Sequence, residues 1–124
     1  MSPFLFGGEL NGKQANCDEN FPHERGKGPD LGRPSVVGSV GANPFGLCNQ
    51  HGQVWEWCQD WYEADNVSAS SQADPTGASL GSSRVLRGGS WLYAADNCRS
   101  AARDGNEPSE RDYSIGFRML CELS

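Results

Sequence analysis

Residues 52–62 read GQVWEWCQDWY, the most apolar stretch of an otherwise polar, glycine-rich chain, so whatever this chain folds into must be built around it. A helix would align Val54, Trp57, Cys58 and Trp61 on one face. A strand would set Val54, Glu56 and Cys58 against Trp55 and Trp57, and because aromatic side chains fit a pleated surface, the segment reads as a strand. Four Trp, five Phe and three Tyr stand beside sixteen Gly in 124 residues, a balance that predicts irregular backbone packed around aromatic anchors. The length suits one domain with a single core.

The flanking segments carry few regular signals. From Asn11 to Pro34 nearly every window holds Gly, Pro, Asn or Asp, so the expectation is ordered loop. The β-branched residues at 36–40 read as a short strand, and NPFG at 43–46 as a tight turn. Residues 63–83 are small and polar and read as a long surface loop. RVLRGGSW at 84–91 reads as a strand broken at a double glycine, where a bulge or a close backbone approach is expected. AADNCRSAAR reads as a short turn or helix, DGNEPSERDYS as loop, and IGFRMLCEL as a closing strand. No internal repeat suggests a solenoid.

The net charge of −6 argues against nucleic acid as a partner, since a phosphate footprint needs Lys and Arg in excess. No apolar run approaches the roughly 20 residues that span a bilayer, and Met1 to Glu9 lack the features of a signal peptide. The expectation is therefore a soluble chain with no membrane insertion and no assigned compartment. Five cysteines, at 17, 48, 58, 98 and 121, are an odd number without any CxxC spacing, so neither a complete set of disulfides nor a zinc knuckle is expected.

The words NPFGLCNQHGQVWEWCQDWY, DPTG, SSRVLRGGSW, NCRSAAR and IGFR resemble, in order, the sulfatase-modifying-factor family, also called the formylglycine-generating-enzyme domain. FLFGGELNGKQAN extends the likeness toward the N-terminus. The resemblance implies an α+β fold of the C-type-lectin type: short antiparallel strands, little helix and much ordered loop. It implies one domain over residues 1–124, compact or truncated at its N-terminus.

Oxidising members of this family carry two cysteines after the GGS motif, and together these bind copper. Here the segment is GGSWLYAADNC, where Tyr93 falls at the first cysteine in an ungapped pairing and only Cys98 remains. One thiolate makes a poor site for a soft metal, so no copper and no catalytic residue are expected. Other relatives join sulfur chemistry to a histidine-rich iron domain, which a chain with two histidines does not supply. The family does imply calcium. One site would use the backbones of His51, Gly52 and Val54 with the carboxylate of Glu56; a second would use Asn16, Cys17 and Asp30. A carboxylate held between Trp55 and Trp57 needs either that cation or an arginine.

Residues 88–118 also resemble the variable proteins of diversity-generating retroelements, whose C-terminal stretch is rewritten at asparagine codons. The scaffold words are kept at Gly88 to Trp91, Cys98 to Ala101, Arg103, Pro108, Arg111 and IGFR. Differences fall at Leu92, Tyr93, Ala94, Ala102, Asp104, Gly105, Asp112, Tyr113 and Ser114. With Trp91 and Asp96, these form the expected ligand-binding set, in which Tyr93 and Tyr113 act as rigid aromatic anchors. The function implied is non-catalytic binding of a protein or cell-surface ligand. The alternative is an oxidase or accessory subunit that generates formylglycine or performs related sulfur chemistry.

Overall fold

The computed structural model describes residues 2–10, 12–18, 20, 30–64 and 77–123. The expected strand is present as β1, Trp55–Trp61, at the interior of a four-stranded sheet. It is joined by β2 (Arg84–Arg87), β3 (Arg103–Asn106) and β4 (Ile115–Gly116), in the order β3-β2-β1-β4. Helix is limited, among the described residues, to one 3-10 turn at Ala95–Cys98.

β1 and β2 run antiparallel with Glu56 opposite Arg87 and Trp57 opposite Leu86, but the next pair is Trp61 with Arg84. Cys58, Gln59 and Asp60 therefore face only Val85, and the strand bulges there. Arg84 holds the bulge from both sides: its guanidinium lies 3.6 Å from the centre of the Trp61 ring and donates to the Gln59 carbonyl. β3 lies antiparallel to β2, with Leu86 opposite Asp104 and Val85 opposite Gly105.

Four local expectations are corrected. β4 pairs with β1 in parallel, Trp55 beside Ile115, so the sheet is mixed where antiparallel strands alone were expected. The run at 36–40 is a turn, closed by the Ser39 N–H on the Val36 carbonyl at 3.1 Å, and among the described residues no strand pairs with it. Arg103–Asn106 is a strand where the composition reads as loop. The closing strand stops after Gly116, and Met119 and Leu120 stand exposed beyond it. Of the loop expected at 63–83, residues 65–76 lie outside the described residues, as do 21–29 of the N-terminal loop.

Two apolar centres support the sheet. Trp55, Val85 and Leu86 are buried at the heart of the strands. Phe4, Leu10, Ala15, Cys17, Ala95 and Cys98 form a second cluster under the 3-10 turn. The double glycine serves this cluster through a close approach: Gly89 has φ +73°, and a Cβ there would sit 2.5 Å from the Cys98 Sγ. His51 ties the cluster to the N-terminal segment. Its Nδ1 donates to the Cys98 carbonyl at 2.6 Å and its Nε2 accepts the Leu5 N–H at 3.1 Å, which fixes the tautomer. Phe4 and Phe6 meet the imidazole edge-on, with centroids at 5.6 and 5.9 Å.

Candidate ligand-binding site

Strand pairing places three separate segments around the start of β1. The Trp55 N–H donates to the Ser114 carbonyl at 2.7 Å, which brings residues 112–115 alongside. The β2–β3 ladder brings Asp104 and Gly105 to Leu86. The loop after the double glycine is pinned through the backbone, with the Trp91 N–H on the Gln53 carbonyl at 3.0 Å and the Asp18 N–H on the Tyr93 carbonyl at 3.0 Å.

Between these segments lies a cavity of about 320 Å³ with Trp55 and Leu86 in its walls. Seven of the sequence-predicted binding residues line it: Leu92 and Tyr93 from the first loop, Asp104 and Gly105 from β3, and Asp112, Tyr113 and Ser114 before β4. Leu92, Tyr93 and Tyr113 are 41%, 38% and 67% exposed, so their side chains are open to solvent. Tyr93 meets Trp55 edge-on with centroids 5.6 Å apart, and Tyr113 tilts against Trp91 at 5.8 Å. A second hollow, of about 450 Å³, runs along residues 31–39 and gathers none of the predicted set.

The remaining predicted residues fall elsewhere. Trp91 backs Tyr113 from outside the cavity. Ala94 bridges to Asp18, Asp96 stands exposed in the 3-10 turn, and the Ala102 carbonyl accepts from Arg87 at 3.0 Å. Two of the lining residues are tied to the scaffold. Ser114 is buried, and its hydroxyl and N–H both donate to the Asp112 carboxylate, so it serves the turn. Any side chain at Gly105 would overlap the ring of Tyr62. Sequence reasoning missed Asn106, because β3 was not legible as a strand, and also Glu110 and Arg111, the latter read as a scaffold position.

The electrostatics of the lining are set by its carboxylates. The Ser114 hydroxyl, and then its N–H, hold the Asp112 carboxyl below the usual carboxylate range, so it is ionised at neutral pH. Cys58 behaves in the opposite sense: burial pushes its thiol up, against the pull of Arg87, and it stays protonated.

Most side chains among the implied calcium residues are engaged within the protein itself. Both oxygens of Glu56 are held by Arg118, at 2.7 and 2.9 Å, so the arginine supplies the charge that the carboxylate requires. His51 turns its ring into the apolar cluster. Asn16 gives its amide nitrogen to the Arg33 carbonyl and to Gln53, while Asp30 accepts from Gly32 and Asn20 on the surface. Cys17 is buried. Among the described residues no three His, Cys, Asp or Glu side chains gather at one point. With Arg118 seated, Glu56 would take a cation only by releasing the arginine.

The mixed sheet, near-absence of helix and long ordered loops define a C-type-lectin-like fold. Residues 7–123 match the model of the sulfatase-modifying factor enzyme 1-like domain, and the chain belongs to that family. It is 37% identical over 122 residues to the formylglycine-generating enzyme of Streptomyces coelicolor, covering 93% of this chain and 39% of that protein. Variable protein 1 of Treponema denticola superposes with a TM-score of 0.63 at 34% identity, over 70% of this chain and 31% of that one. PvdO from Pseudomonas aeruginosa superposes with a TM-score of 0.67 at 27% identity, over 85% of this chain and 38% of its own. The chain thus spans well under half the length of each. No helix among the described residues is long and apolar enough to cross a membrane.

Proposed function

We propose that the chain is a non-catalytic ligand-binding protein whose residues 88–118 display an exchangeable surface, of the kind produced by diversity-generating retroelements. The observation that carries this reading is convergence. Exposed side chains at 92, 93, 104, 112 and 113 come from three segments to one cavity, while backbone bonds to β1 and to Asp18 hold those segments in place. Contacts can then change without disturbing the scaffold, since surface substitutions usually cost within about 0.5 kcal/mol. The likeness to a treponemal variable protein supports it. The expected partner is a protein or cell-surface ligand.

The test is a set of chains in which Leu92, Tyr93, Asp104 and Tyr113 are replaced together, with Asp112 kept because its carboxylate satisfies the buried Ser114. Melting temperatures should fall by less than roughly 10 °C, at about 0.5 kcal/mol per site, while the bound target changes. Unfolding of every variant, or binding that ignores the replacements, would end the reading. The retroelement origin has its own check: a near-copy of the 3′ end of the gene, differing at adenines and lying beside a reverse-transcriptase gene.

A second reading, an oxidase or accessory subunit acting on sulfur, is favoured by the identity to a formylglycine-generating enzyme. Against it, Cys98 is fully buried with its Sγ 3.9 Å from the Ala94 carbonyl, and in an ungapped pairing Tyr93 falls at the family's first cysteine. Copper(I) titration with a cysteine-containing peptide separates the two. Formation of formylglycine would replace the binding reading.

A further inference from the structure

The cavity at the start of β1 carries more negative charge than its surroundings cancel. Asp104, Glu110 and Asp112 contribute three carboxylates to its lining and Arg111 one cation, a balance of −2. Among the described residues none of the three is paired with a lysine or arginine. Asp104 spends one oxygen on the Gly105 N–H at 2.8 Å, and Asp112 spends one on Ser114, so each keeps a second oxygen. Tyr93 and Tyr113 add aromatic faces, which attract cations. Trp55, 3% exposed and part of the same wall, has an indole N–H without an acceptor among the described residues. A buried donor of this kind costs free energy until an acceptor reaches it, and a peptide carbonyl is such an acceptor.

Resting on the binding reading above, we infer that this cavity takes a positively charged side chain, a lysine or arginine presented by an extended segment of a protein partner. The volume of about 320 Å³ suits one long side chain with part of its backbone. The chain's net charge of −6 draws a basic segment toward it, whereas an acidic one would bring like charges together.

The experiment uses one Gly-Ser peptide with Lys, Arg, norleucine or Glu at its centre, titrated against the full 124-residue chain while the indole N–H resonances are followed by NMR. The Lys and Arg peptides should bind at least tenfold more tightly than norleucine, lose affinity with added salt, and shift the Trp55 resonance. Asp104→Asn and Glu110→Gln should each weaken the Lys peptide by about fivefold, the upper range for exposed ion pairs, with an unchanged circular dichroism spectrum. Equal binding of norleucine, or preference for Glu, overturns the inference. A random peptide library panned on the same chain separates this failure from that of the binding reading. Acidic or apolar winners that are lost in Tyr113→Ala overturn only the cationic ligand; winners indifferent to Tyr93→Ala and Tyr113→Ala overturn both.

Discussion

Arg118 grips Glu56 with two of its nitrogens and reaches the Cys48 carbonyl with one of them, at 2.9 Å, so a single side chain ties the C-terminal segment to β1 and to the turn before it. Both partners are partly open to solvent, and such pairs are worth no more than about 1 kcal/mol. Glu56→Gln should therefore cost about 1 kcal/mol in a thermal melt, and millimolar calcium should leave the wild-type melting temperature unmoved. A calcium-dependent rise that vanishes in Glu56→Gln would instead place the cation on this carboxylate. Gly105 makes a sharper demand, because its missing side chain is what lets β3 lie against Tyr62. Gly105→Ala should destabilise by about 1–3 kcal/mol through overpacking, and much of that loss should return in the double variant with Tyr62→Ala, as chemical denaturation would show. Residue by residue, the sequence foretold that Glu56 needs a positive partner and that the double glycine marks a close approach. It could not foretell which cation, since Arg118 lies sixty-two positions away, nor that Gly105 is fixed by the ring of Tyr62, just past the end of β1.

Elements legible in the sequence were those whose own residues carry the reason for them. β1 was readable because six of the eleven residues of GQVWEWCQDWY are apolar, four of them within the strand and three of those tryptophans, and β2 because Val85 and Leu86 precede a glycine pair. β3 was not, since Arg-Asp-Gly-Asn has poor strand propensity and is a strand only through its ladder to β2. The valines at 36 and 37 failed in the reverse sense: their propensity is high, but they stand 80% and 82% exposed, and among the described residues no strand pairs with them. What orders that loop is Gln53. Its Oε1 accepts from Asn16 Nδ2 and from the N–H and hydroxyl of Ser35, and its Nε2 donates to the Ser35 carbonyl. Gln53 also holds φ at +71°, so its backbone is strained to make the clamp. Gln53→Ala should strand those partners at a cost of about 3 kcal/mol, lowering the melting temperature by roughly 10 °C, while Gln53→Glu keeps the acceptors and loses less. Because the Trp91 N–H rests on the Gln53 carbonyl, hydrogen exchange in 90–94 should stay slow in both variants; exposure of that segment would mean that the clamp holds the binding loop through its side chain as well.

At the scale of the whole molecule, apolar side chains stand open among the described residues: Phe45, Phe117, Met119, Leu120 and Leu123 are each at least three-quarters exposed. Exposed apolar groups on this scale are a contact liability, and the net charge of −6 opposes it by mutual repulsion between copies. The balance predicts a salt-dependent equilibrium. At low ionic strength, light scattering should report a monomer; above roughly 0.15 M salt, where charges farther apart than about 8 Å no longer repel, the apparent mass should rise with concentration. Replacing Met119 and Leu120 with Gln should suppress that rise without lowering the melting temperature, because neither side chain is packed against the core. If the substitutions melt the protein instead, the C-terminal segment packs in solution more tightly than β4 alone requires. The same two-variant comparison protects the peptide titrations: a basic peptide that binds the Gln variant as well as the parent is held by the cavity, whereas one that binds only the associating parent is held by its exposed apolar surface.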